Sequence, residues 1–372
     1  MGRPPLPGTG RARADFRSRQ DRAGVAERWQ APVLERRVVV YNWKSVSRSR
    51  MARDARQTSP LIGRMDRITG ILSPVVTPFR ADLSPDSERL TRHCRWLVSN
   101  GVGLAVFGTN SEANSLSVEE KLDLLDQLVS DGLDPARMMP GTGCCALTDS
   151  VRLTSHAAKL GCAGVLMLPP FYYKGVSDEG LFRNVAEVIE RVADQRLRIY
   201  LYNIPPVSQV AITLPLIERL LTAYPGTVAG LKDSSGDWEN TKAYIDNFAA
   251  HGFDVFPGSE TFLLQGLRHG GAGCISATAN VNPGPIARLF ATWQAADADA
   301  QQLRLNEVRG IFARYPMISA LKAAIAHHSR DASWSTLRPP LVELTSEQNA
   351  ALIGELDGAG FTMPGLQGAR DR

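Results

Sequence analysis

Lys232 stands inside TVAGLKDSSGD, residues 227 to 237, between an apolar run that reads as a buried strand and a polar cluster that reads as a turn. An isolated lysine at a strand end ordinarily lets its stem run out to solvent, so only its neighbours in space can give it another role. The ends of the other apolar runs supply candidates: Thr77, Thr109, Asn110, Ser111, Glu112, Thr142, Tyr172, Tyr173, Tyr202, Asn203, Asp233, Ser259, Glu260, Ser276 and Thr278. With Lys232 they make a set of one lysine, several hydroxyls and no histidine. An amine with a pKa of about 10.4 in water loses its proton more readily once its charged form is desolvated, and the neutral amine attacks a ketone to form a Schiff base. The protonated imine is an electron sink that eases the making or breaking of a carbon–carbon bond β to it. The accompanying proton transfers need an acid/base partner, such as a tyrosine held by hydroxyls, for which Tyr173 and Thr109 are suitable groups.

Other chemistries fit the residues less well. The histidines at 93, 156, 251, 269, 327 and 328 fall in helical or connecting segments and show neither HExxH nor another ligand spacing. A metal-dependent aldolase or hydrolase is therefore disfavoured, and no metal or cofactor is called for. A Ser-His-Asp hydrolase lacks both its histidine and a GxSxG elbow.

The elements that must position such a set follow from a repeated rhythm that begins near residue 68. Eight short apolar runs occur in order: GILSPVVTPF, GLAVFG, RMMPGTG, GVLMLPP, RIYLYNIP, TVAGLKDSS, FDVFPGSE and GAGCISATANV. Between them lie segments with apolar residues three and four apart, such as SVEEKLDLLDQLVS and DEGLFRNVAEVIERV. Apolar strands alternating with helices imply a parallel sheet covered by helices, because each crossover returns the chain to the same end of the sheet. Eight such units within 68–298 predict an α/β fold of the (β/α)8 TIM-barrel type, whose reacting groups gather at the C-terminal strand ends. A doubly wound sheet would need a GxGxxG turn after its first strand, and GILSPVVTPFRADLSPDS has none. Beyond the eighth helix, near PGPIARLFATWQAA, the sequences LNEVRGIFARYPMISALKAAIAHHS and SEQNAALIGELDGAG predict additional C-terminal helices over 299–372.

Charge is unevenly distributed. Residues 1–67 hold 16 of the 42 Lys and Arg and 6 of the 38 Asp and Glu, leaving 26 − 32 = −6 for the remainder of a chain whose formal net charge is +4. The acidic body argues against a nucleic-acid groove. The basic segment has no secretory h-region and no aromatic interleaving, and it reads as a disordered extension, with Met65 an alternative start. No apolar run approaches the roughly 20 residues of a membrane-spanning helix. The five cysteines, Cys94, Cys144, Cys145, Cys162 and Cys274, show no CxxC spacing and fit a reducing, cytoplasmic setting.

The motifs at the strand ends resemble those of the dihydrodipicolinate synthase / N-acetylneuraminate lyase family, pyruvate-dependent class I aldolases. GTNSE stands for the family's G-[TS]-[TN]-G-E, PPFYY for its tyrosine motif, YNIP is unchanged, GLKDSSGD matches G-[IML]-K-x-[ST]-[SG]-G-D, and GCISATANV matches the eighth strand. The resemblance runs from residue 70 to about 345. It implies that Lys232 forms the Schiff base, Tyr173 is the general acid/base, Thr109 relays protons, and Asn110 with adjoining amides holds the carboxylate of a bound oxo acid. It places the carbonyl of Ile275 beside the imine, and Ser259 with Glu260 near substrate hydroxyls, although Glu260 is also a natural helix cap. Tyr172 reads as packing, and Tyr202 and Asn203 as residues that shape their loop.

Departures from the family bear on the substrate. True dihydrodipicolinate synthases carry an arginine after YNxP that pairs with a carboxylate on the aldehyde partner, and YNIPPVSQV places Val207 there. Ser111 replaces a glycine, and GTGCCALTDS offers no tyrosine from which a neighbouring subunit could complete a hydroxyl relay. The expectation is a lyase joining or cleaving pyruvate and a small aldehyde, through a hydroxy-oxo acid or deoxy sugar acid, assembled as a homotetramer. A lysine-pathway synthase and a non-catalytic oxo-acid-binding barrel are the alternatives.

Overall fold

The structure, a computed structural model, describes residues 67–366. The expectations for the basic extension lie outside these residues except for Arg67, whose guanidinium donates to the carbonyl of Ala229 at 3.3 Å and lies 3.3 Å from the carboxylate of Asp254.

The apolar runs form the strands β1 (Gly70–Ser73), β2 (Gly103–Leu104), β3 (Val165–Met167), β4 (Ile199–Asn203), β5 (Val228–Asp233), β6 (Asp254–Pro257) and β7 (Gly273–Ile275). All registers are parallel, in the orders β2-β1-β7 and β3-β4-β5-β6. The third run, RMMPGTG, forms no named strand, and its residues 138–141 join the two sheets. The Met139 N–H donates to the Leu104 carbonyl at 2.8 Å, and the Leu166 N–H to the Pro140 carbonyl at 2.9 Å. On the other side, the Ala272 N–H donates to the Val255 carbonyl at 2.9 Å. These bonds link neighbouring runs around a (β/α)8 barrel.

Helices α1 (Ser87–Ser99), α2 (Val118–Ser130), α3 (Leu147–Leu160), α4 (Asp178–Val192), α5 (Pro205–Ser208), α6 (Leu214–Ala223), α7 (Trp238–Phe248), α8 (Leu263–Arg268) and α9 (Pro283–Ala291) fill the connections. Their starts are chemically marked. Asp86, Ser117, Ser177, Thr213 and Asp237 each accept a first-turn N–H, and Ser117 exchanges its bond with Glu120 in a capping box. The C-terminal sequence forms α10 (Ala298–Phe312), α11 (Met317–Ser329) and α12 (Ser346–Gly358). Pro316, just before α11, cannot continue α10. These helices share the apolar layer between barrel and helices: Phe312, Leu321, Ile325 and Leu352 pack in the same cluster as Leu97 and Val106.

The barrel interior is a second cluster containing Leu72, Ala105, Met139, Leu166, Tyr200, Tyr202, Phe256 and Ile275. Side chains alternate along a strand, so Tyr200 and Tyr202 of β4 point inward while Ile199 and Leu201 join the outer layer. In β5, Gly230 pairs with Tyr200, and Lys232 pairs with Tyr202. A Cβ at Gly230 would lie 2.3 Å from the Asp254 carbonyl oxygen and 2.7 Å from the Tyr200 ring, so glycine is the residue that lets these strands close around that ring.

Candidate active site

Lys232 lies one residue from the end of β5, in register with Tyr202 of β4 and Phe256 of β6. It is 2% exposed, and its Nζ stands 4.2 Å from the centroid of the Tyr202 ring. That contact places a cation against the negative face of an aromatic ring and keeps the amine inside the barrel. The Tyr202 hydroxyl lies 3.2 Å from Thr109 Oγ1. Burial raises the pKa of the Tyr202 phenol, but the charge of Lys232 and hydrogen bonds with Thr109, Lys232 and Ser234 outweigh it, leaving the phenol below the ordinary tyrosine range.

The next residue along β5 takes the opposite face. Asp233 points toward α7, where its carboxylate accepts from Asn203 Nδ2 (2.8 Å), Asn240 Nδ2 (3.1 Å), Ser235 Oγ (2.8 Å) and Thr241 Oγ1 (2.5 Å). Asn203 Oδ1 in turn accepts from the Ile212 N–H at 3.0 Å. Asn203 thus shapes its loop, as its motif suggests, and the fully satisfied network anchors the end of the strand that carries Lys232.

Thr109 and Asn110 sit on a tight helical turn, Thr109–Ser111, just beyond β2. The Ser111 hydroxyl accepts from the Gly108 N–H at 3.1 Å, and Thr77 Oγ1 from the β1 loop donates to the Ser111 carbonyl at 2.7 Å. A small cavity of about 20 Å³, lined by Gly108, Thr109, Gly141, Gly143, Leu166 and Tyr202, opens at this turn. Larger grooves of about 520 and 560 Å³ run between α6 and α7 and between α9 and α10, and no residue of the Lys232 group lines them.

Tyr173 is placed otherwise than expected. It is 71% exposed in the connection after β3, packed edge to face on Tyr172 with ring centroids 5.3 Å apart. The tyrosine that faces Lys232 is Tyr202, read from the sequence as a loop-shaping residue. The physical reason is parity: Tyr202 lies two residues from Tyr200 on the inward face of β4, opposite Lys232, whereas Tyr173 lies beyond the end of β3. Alternation along RIYLYN carried that signal. Ser234, whose nearness helps to lower the Tyr202 phenol, is also absent from the candidates that the sequence offers.

The expectations at the last two strands divide. Ile275 is fully buried in the interior cluster with Tyr202 and Phe256. Ser259 caps the short turn Glu260–Phe262, its hydroxyl accepting from the Thr261 N–H at 3.3 Å and lying 2.9 Å from Thr261 Oγ1. Glu260 is fully buried and accepts from the hydroxyls of Ser276 and Thr278, with Arg309 of α10 at 3.7 Å. Its carboxylate is spent on internal partners and is not presented at the mouth. The described residues contain no group of three or more His, Cys, Asp or Glu that could hold a metal ion, and no helix long and apolar enough to cross a membrane.

Fold and site together define a (β/α)8 barrel with a buried lysine at its C-terminal mouth, paired with a tyrosine and a threonine. Residues 67–357 match the model of the dihydrodipicolinate synthetase family, and the chain belongs to that family as a lyase of the dihydrodipicolinate synthase-like kind. It is 37% identical over 289 residues to an uncharacterized DapA-like lyase of Chloroflexus aurantiacus, covering 76% of this chain and 94% of the relative. It is 30% identical over 296 residues to a 4-hydroxy-tetrahydrodipicolinate synthase of Methanococcoides burtonii, covering 78% and 98%. Among solved structures, dihydrodipicolinate synthase from Agrobacterium tumefaciens superposes with a TM-score of 0.73 at 30% identity, over 78% of this chain and 99% of the other. YagE, a prophage protein from E. coli solved in complex with pyruvate, superposes with a TM-score of 0.72 at 26% identity, over 79% and 99%.

Proposed function

We propose that this chain is a class I lyase in which Lys232 condenses with the ketone of pyruvate, losing water, to form an imine. The enamine derived from it adds to a small aldehyde, or is released when a hydroxy-oxo acid is cleaved. The observation that carries this reading is the buried Lys232 amine over the Tyr202 ring, with the Tyr202 hydroxyl joined to Thr109. Tyr202 is the acid/base that moves protons at the substrate oxygen, and Thr109 orients its hydroxyl. Asn110, with the amides of its turn, receives the pyruvate carboxylate. The phenol's lowered pKa supports this role, because an acid/base works best near the operating pH.

The aldehyde partner is best read as uncharged at its far end. Val207, on the short helix α5 beside the mouth, is 62% exposed and offers no donor to a carboxylate. Exposure of Tyr172, Tyr173 and Val176 in one connection supports assembly with further copies, a homotetramer by family resemblance. The reading is tested by borohydride reduction in the presence of pyruvate: a pyruvate-derived mass on Lys232 is expected, and an unmodified lysine would sink it. Efficient formation of dihydrodipicolinate from aspartate semialdehyde would overturn the argument from Val207, and light scattering checks the assembly.

A further inference from the structure

The turn that bears Thr109 and Asn110 is bracketed by two residues in the left-handed region, Phe107 at φ 62° and Glu112 at φ 55°. Neither is a glycine, and such backbone persists only where its surroundings over-determine it. Thr77 holds the turn from within the barrel. The other restraint comes from the far end of the chain. The Glu112 carboxylate, fully buried, pairs with the equally buried Lys322 ammonium of α11, and it accepts from the Arg338 N–H at 3.1 Å. Lys322 also donates to the Thr336 carbonyl at 2.8 Å and lies 4.5 Å from the centroid of the Phe79 ring. The Arg338 guanidinium stands 4.7 Å from the same centroid and donates to the Ser115 carbonyl at 2.7 Å and to Glu120 Oε2 at 2.8 Å. The two ends of the barrel sequence are thereby tied at the residue directly after the Thr109–Ser111 turn.

We propose that Glu112 and Lys322 are positioning residues for the substrate carboxylate: the C-terminal helices lock the Thr109–Ser111 turn from outside the barrel, keeping Asn110 at its mouth and Thr109 against Tyr202. This deepens the Schiff-base reading and rests on it. A buried ion pair contributes little net stability when both partners are replaced together by residues of similar shape, whereas loss of one partner strands a charge. A variant lacking both charges therefore separates positioning from folding.

The experiment compares borohydride trapping of pyruvate with that of acetaldehyde, which reacts with the same amine but has no carboxylate. In Glu112→Gln/Lys322→Met, half-maximal trapping is expected to need about tenfold more pyruvate, equivalent to about 1.4 kcal/mol of lost binding, while acetaldehyde dependence stays as in the unaltered protein. An unchanged pyruvate dependence overturns the proposal, and so does a parallel loss with both carbonyls, which marks general damage. If the double variant does not fold, Glu112→Asp carries the comparison, since it strands no charge while its side chain, shorter by one methylene, no longer reaches Lys322 and the Arg338 N–H together. Absence of any adduct in the unaltered protein is a distinct result that removes the Schiff-base reading itself.

Discussion

Replacing Tyr202 by phenylalanine removes one oxygen and leaves the ring in place. The ring holds the Lys232 amine at 4.2 Å, so the lysine keeps its pocket and its access to pyruvate. What disappears is the hydroxyl that meets Thr109 at 3.2 Å. A positioned acid/base contributes roughly 10²–10⁴-fold, about 3–5 kcal/mol of barrel-mouth catalysis at 1.36 kcal/mol per decade. The assay needs no knowledge of the aldehyde. Enamine formation removes a proton from the pyruvate methyl group, so deuterium incorporation in D2O, followed by NMR, reports proton transfer directly, and borohydride trapping reports the imine. Tyr202→Phe should trap pyruvate on Lys232 but exchange its methyl protons at least about 10²-fold more slowly. Tyr173→Phe, altering an exposed ring, should cost at least about tenfold less than Tyr202→Phe. Equal losses for the two variants, or loss of the adduct in Tyr202→Phe, would refute the assignment of the proton-transfer role to Tyr202.

Other perturbations probe different parts of the molecule. Lys232→Met should abolish the adduct yet leave the melting temperature unchanged or higher, because it exchanges a buried ammonium for an apolar side chain of similar length. His93, buried between Trp96 and Trp334, has its pKa pushed by desolvation from 6.5 to about 4, with Asn280 partly countering. The unfolded chain therefore takes up a proton near pH 6.5 that the folded chain refuses until about pH 4, so stability falls by about 3 kcal/mol as pH drops through this window. Denaturant titrations across it should show a shallower loss for His93→Gln; equal slopes would contradict the account. Gly230→Ala drives a Cβ to within 2.3 Å of the Asp254 carbonyl and should destabilise by about 1–3 kcal/mol or more in urea unfolding.

How much of this was legible in the chain depends on the range of the physics involved. The eight apolar runs and their intervening helical periods are local patterns, and each run lies on the barrel, RMMPGTG included, although it enters only through isolated parallel bridges at Met138 and Gly141. The capping residues at Ser117 and Ser177 are equally local. Lys232 could be picked out because a lysine ending a buried strand is rare enough to need a reason. Its partner was harder. Two tyrosine motifs stand in the sequence, and composition does not distinguish them.

The sequence by itself determined the elements, their parallel alternation and a lysine at the C-terminal end of the sixth apolar run, since these follow from the periodicity of burial and from the chemistry of single side chains. Only the tertiary structure decided what meets that lysine. Strand register set Tyr202 opposite Lys232, and the exit of the chain beyond β3 left Tyr173 in solvent. Closure of the barrel turned Glu260 inward onto Ser276 and Thr278, and it brought Lys322 to Glu112 across 210 residues. Such pairings arise from which faces are turned toward each other when eight strands close on one another, and no local pattern of residues encodes that relation on its own.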